Sequence, residues 1–100
     1  MTPEARRHPR IPVTLLVEHQ AGPAAPRHVD YAENVSRSGI FIRTASPTPQ
    51  GGVLAVTFSP RRDSRLVQAY ARVVRTTKGG MAAEFLQMDP ESAELLQAIA

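Results

Sequence analysis

Clusters of proline, glycine and short polar residues at positions 21–26, 34–39, 46–52, 59–65 and 78–80 cut this chain into short runs. Within those runs apolar residues recur at every second position. Val13, Leu15 and Val17 alternate with Thr14, Leu16 and Glu18, and Val67, Ala69, Ala71 and Val73 share one face of a longer run. A period of two belongs to a strand with one face turned inward, and breakers of this kind join strands through turns. The pattern predicts strands over 13–19, 28–35, 39–44, 53–58, 66–77 and 81–86, with Lys78-Gly79-Gly80 as a hairpin turn. The chain closes differently. Asp89 suits a helix N-cap, Pro90 the first helical position and Glu91 the positive end of the helix dipole, while Leu95, Leu96 and Ile99 fall on one helical stripe. A helix this short does not hold alone in water, so it has to dock on the β-structure. Six short strands without an intervening helix predict an all-β fold with one C-terminal helix, a closed or nearly closed six-stranded antiparallel β-barrel.

One hundred residues make a single domain with a modest core. We divide it into an arginine-rich, flexible N-terminal arm, residues 1–11, and the barrel with its helix, residues 12–100. The 42% hydrophobic and 21% charged composition is that of an ordinary soluble globule. No apolar run approaches the roughly 20 residues of a membrane helix, and no apolar stretch follows the basic N-terminus as a secretory signal requires. The chain has no cysteine, which excludes disulfides and thiolate metal sites. A cytoplasmic protein without membrane insertion is the expectation.

The net charge of +3 matters less than its placement, because Arg6-Arg7-His8-Pro9-Arg10 concentrates cations beside the first strand. Prolines hold this segment extended, so Arg6 and Arg10 share a face at most about 13–14 Å apart. Guanidinium carries five donors in a planar fork that pairs with phosphate or with guanine O6 and N7, and a compact cluster suits a compact anion better than a long polyanion. The second polar element is Asn34-Val35-Ser36-Arg37-Ser38-Gly39. Asn and Ser bond their own backbone and favour turns, and Gly supplies a positive φ at no steric cost. Such a turn also presents an amide, hydroxyls and bare N–H groups to a ligand, with Asn34 reading a base edge, Ser36 exchanging a hydrogen bond and Gly39 permitting close approach. Asn34-Val35-Ser36 fits the N-glycosylation pattern, which carries no weight without a secretory signal. His8, His19 and His28 are scattered without metal-ligand spacing and read as surface residues, so no metal is expected. No nucleophile, base and orienting acid can be assembled, so no enzyme is expected. Tyr31, Tyr70, Phe41, Phe58 and Phe85 read as core or half-core residues.

Together, Arg6-x-x-x-Arg10, one intervening strand and Asn34-x-Ser36-x-x-Gly39 resemble the PilZ domain family, whose pattern is Arg-x-x-x-Arg followed by Asp/Asn-x-Ser-x-x-Gly. The resemblance covers essentially the whole chain, since Gly79-Gly80-Met81-Ala82-Ala83-Glu84-Phe85 and a closing helix look like the family's ending. It implies a bacterial second-messenger receptor that binds cyclic di-GMP without catalysis and needs no cofactor. By that similarity Arg6 and Arg10 hold guanine and phosphate, Arg7 is an auxiliary contact, Asn34 and Ser36 meet the second nucleotide, and Gly39 keeps the turn open. Arg37 and Arg43 lie close in sequence and are not assigned to the site. An unidentified effector protein is the expected partner, because a lone domain has no attached enzyme to switch. The alternatives are a PilZ-like protein–protein adaptor independent of nucleotide, and a small β-barrel binding single-stranded nucleic acid, for which the five aromatics of this chain are too few.

Overall fold

The computed structural model describes residues 11–59 and 65–99. Six strands, β1 (Ile11–Gln20), β2 (Arg27–Val35), β3 (Gly39–Arg43), β4 (Val53–Phe58), β5 (Val67–Thr77) and β6 (Gly80–Met88), precede one helix, α1 (Pro90–Ile99). Every neighbouring pair is antiparallel, and the order β1-β2-β3-β6-β5-β4 closes on itself through β4 and β1. The barrel expected from the alternating pattern is the one that forms. Strand ends move by a residue or two. Ile11, placed in the arm by sequence, opens β1 opposite Val35, and Leu66 lies outside β5. The rest of the arm, and residues 60–64 of the polar turn after β4, lie outside the described residues.

Alternation decides the core. Val17, Ala32, Ile40, Ile42, Leu54, Val56, Phe58, Val73 and Met81 point inward and are buried, and the predicted face Val67, Ala69, Ala71, Val73 is buried along its whole length. Leu95 and Leu96 bring α1 onto this core against β5. The helix start is tied down by two linked bonds. Asp89 Oδ1 accepts the Ser92 N–H at 2.7 Å, the N-cap bond expected from sequence. The buried Ser92 Oγ in turn accepts the Gln68 N–H of β5 at 3.0 Å.

Two expectations give way to the register. His19, read as a surface residue, is only 1% exposed, because it shares the inward face of β1 with Val17. A buried imidazole needs a partner, and His19 Nε2 meets Asp30 Oδ2 at 2.8 Å while its ring stacks on His28 at 5.3 Å. Tyr31 and Tyr70 are exposed rather than half-buried, since each stands on the outward position next to a buried alanine, Ala32 and Ala69 respectively.

Gly80 shows where two strands come too close for a side chain. It begins β6 beside Arg43 of β3, and a Cβ there would collide with the Ile42 carbonyl oxygen, whereas a Cβ at neighbouring Gly79 would meet open space. Gly80→Ala is expected to destabilise the barrel by about 1–3 kcal/mol, read from the urea midpoint, with Gly79→Ala close to neutral. Asp89→Ala removes the cap and is expected to cost about 1 kcal/mol in the same assay.

Candidate functional site

The connection between β2 and β3 is built around one hydroxyl. Ser36 is buried, and its Oγ accepts the N–H groups of Ser38 at 3.1 Å and Gly39 at 3.2 Å. The Ser36 N–H donates to the Gly39 carbonyl at 2.8 Å, closing the loop on itself. A further bond, from the Phe85 N–H to the Ser38 carbonyl at 2.9 Å, anchors the turn to β6. Both acceptor lone pairs of Ser36 are thereby occupied within the turn, and its hydroxyl lies 3.2 Å from that of Ser38. Gly39 is a buried strand residue opposite Glu84. The glycines at positive φ among the described residues are Gly22 and Gly51, so this bend is shaped by the Ser36 hydroxyl and not by a left-handed glycine.

Asn34 owes its position to a β-bulge. Ala32 pairs with Ile42, but the next pairing is Asn34 with Phe41, so Glu33 is an extra residue on β2. Without that insertion Glu33 would face Phe41. Glu33 instead reaches Arg43, whose Nη1 lies 2.8 Å from its carboxylate. Both partners are largely exposed, so the pair adds at most about 1 kcal/mol, but it engages Arg43 with a carboxylate. A second bulge, on β5, has the same effect on the far side. Val73 pairs with Ala83 and Arg75 with Ala82, leaving Val74 as the extra residue.

The outer surface therefore carries one row across four strands: Asn34 on β2, Phe41 on β3, Ala82 on β6 and Arg75 on β5. Three inter-strand steps make this row roughly 14 Å long. Phe41 is half-buried; Ala82 is 2% exposed yet outside the core cluster, because its neighbours Met81 and Ala83 are the inward residues. The middle of the row is thus an apolar strip with a polar amide at one end and a cation at the other. Among the described residues, Arg37, Arg72 and Arg75 have no carboxylate within ion-pair distance, while Arg27, Arg43 and Arg65 do.

Of the residues assigned from sequence, Asn34, Ser36 and Gly39 converge on this rim. Arg6, Arg7 and Arg10 lie outside the described residues. Ile11, which follows Arg10 in the chain, pairs with Val35, and Pro12 pairs with Asn34, so β1 starts alongside the strand end that carries the turn. Phe41, read as core or half-core, is half-buried, and its place between the inward Ile40 and Ile42 points it outward. Arg75 gives no such signal, since its facing depends on the bulge. A separate groove on β4, β5 and β6, lined by Ala55, Thr57, Gln68, Tyr70, Gln87 and Pro90, contains none of the turn residues. Among the described residues no group of three or more His, Cys, Asp or Glu is placed to hold a metal ion, and no helix is long and apolar enough to cross a membrane.

The family model for the PilZ domain matches residues 4–100, taking in the arginine segment, the turn, the barrel and the helix. This chain belongs to the PilZ domain family. Known PilZ structures share its fold at low sequence identity. The inhibitor of motility MotI/DgrA of Bacillus subtilis superposes with a TM-score of 0.78 at 20% identity, over 98% of this chain and 54% of that one, so this chain spans about half of MotI. The PilZ domain of CeSA from a cellulose-synthesizing bacterium gives 0.73 at 16% identity, covering 90% of this chain and 92% of that one. The PilZ domain of YcgR from Escherichia coli, a structure with c-di-GMP, gives 0.75 at 14% identity, covering 96% and 88%. A search of curated protein sequences finds no match.

In this PilZ domain the Ser36 hydroxyl is the internal brace of the turn. Ser36→Ala leaves the Ser38 and Gly39 N–H groups without their acceptor and is expected to lower stability by about 1–3 kcal/mol, measured by urea unfolding. Ser38→Ala, which leaves both of those bonds in place, is expected to change the midpoint little.

Proposed function

We propose that this PilZ domain is a receptor for cyclic di-GMP, bound between the arginine segment that precedes β1 and the rim formed by Asn34 and the 34–39 turn. The observation that carries this reading is the pairing of Ile11 with Val35 and Pro12 with Asn34, which starts the strand after Arg10 beside the polar turn. The family match over both segments and the likeness to a YcgR domain with c-di-GMP support it. In this reading Arg6 and Arg10 take guanine and phosphate through bidentate donation, with Arg7 beside them. Asn34 reads a base edge, Gly39 keeps the backbone close, and Ser36 holds the turn in shape from within. The ligand orders the arm, and an effector protein reads the altered surface. The protein acts by binding and not by catalysis.

A nucleotide-independent adaptor is the second reading, favoured by exposed apolar side chains on one outer face, where Leu16 pairs with Tyr31 and Val29 stands two residues away. Calorimetric titration separates the two. Wild type is expected to bind cyclic di-GMP and Arg6→Ala/Arg10→Ala to lose about a hundred-fold in affinity, two charge-assisted contacts being removed. Unchanged affinity in the double variant rejects the proposed site. Asn34→Asp is expected to bind about ten-fold tighter than wild type, because a carboxylate accepts from two guanine donors where the amide offers one oxygen. Equal or weaker binding by that variant rejects the role given to Asn34.

A further inference from the structure

We propose that this domain forms a two-fold dimer through the outer face of β1 and β2, the partner being a second copy of this chain. Alternate residues of β2 point outward, in the order Arg27, Val29, Tyr31 and Glu33. Val29 is 62% exposed and Tyr31 54%, and Leu16, which pairs with Tyr31 from β1, is 58% exposed. These three side chains make one contiguous apolar patch on a strand pair whose other face is already spent on the core. The ends of the patch are charged. Arg27 meets Glu18 at 3.4 Å and Glu33 meets Arg43 at 2.8 Å, with all four side chains exposed. Exposed pairs of this kind contribute little, so each is free to exchange partners.

The order of those charges selects the occupant. A two-fold axis lying in the plane of the contact and across the strands lays β2 antiparallel over its copy. Arg27 of each copy then faces Glu33 of the other at both ends, and Val29 faces Tyr31 twice at the centre. Facing sheets lie about 10 Å apart, a gap that an arginine and a glutamate bridge from opposite sides and that a tyrosine ring fills. The face holds two acids and two bases, so two copies meet there without the repulsion that a net charge of +3 brings to the chain as a whole. A partner of uniform charge would set one end of the face against its own sign. The contact is small, apolar at the centre and polar at the rim, which suits a weak and reversible dimer.

The test is sedimentation equilibrium of the full chain without nucleotide, with melting temperature followed to confirm an intact barrel. Wild type is expected to dimerise with a dissociation constant on the order of 100 μM. Tyr31→Ala, at the centre, is expected to weaken association about ten-fold. Arg27→Glu and Glu33→Arg each bring like charges together twice and are expected to stay monomeric alone. An equimolar mixture of these two variants is expected to dimerise as wild type does, because every end contact again joins opposite charges. Neither a non-specific apolar contact nor local misfolding gives that rescue. A wild type that remains monomeric at about 1 mM, unchanged association in Tyr31→Ala, or a mixture that associates no better than its components overturns the dimer. Nucleotide takes no part in the measurement, so the receptor reading stands or falls separately.

Discussion

The barrel closes through a short seam in which Val17, Glu18, His19 and Gln20 of β1 face Phe58, Thr57, Val56 and Ala55 of β4. An open six-stranded sheet would leave the edges of β1 and β4 with unpaired N–H and C=O groups; closure joins them. The buried His19 lies in this seam opposite Val56, and its bond to Asp30 satisfies a polar ring that closure removes from water. A sheet of so few strands curls tightly when it closes, and the pairing shifts on β1, β2, β5 and β6 are where the ladder absorbs that curvature.

The same irregularities give the outer surface its chemistry. A regular ladder would set Glu33 beside Phe41 and Val74 beside Ala82. With one extra residue on each of two strands, the amide of Asn34 and the guanidinium of Arg75 take those places. The turn next to Asn34 is equally determined by small terms. Ser36 contributes a single oxygen, yet that oxygen satisfies two N–H groups, and the bond from Phe85 to Ser38 fixes the bend to β6. The turn is therefore tied into the barrel by its own hydrogen bonds, and a ligand at the proposed site would meet groups already in place.

Much of this was legible in the chain itself. The period-two runs located all six strands, Asp89-Pro90 marked the start of α1 at Pro90, and the turn at 34–39 could be read from its residue types. Where the reading went astray, the cause was always a question of facing. His19 looked like a surface histidine because a residue type does not say which side of a strand it occupies, and Tyr31 and Tyr70 looked like core or half-core residues for the same reason. Ser36 looked like a group offered outward, whereas the fold turned it in to hold the bend.

What the sequence determined alone was the alphabet of elements: alternating apolar residues demand a sheet with one dry face, breakers at short intervals demand turns, and a capped apolar stripe demands a docked helix. Only the tertiary structure decided which outward residues became neighbours. Side chains alternate strictly along a strand, so a single inserted residue carries everything beyond it to the opposite face, and the bulges that do this at Glu33 and Val74 answer to the curvature of a closed barrel rather than to any local preference of the residues involved.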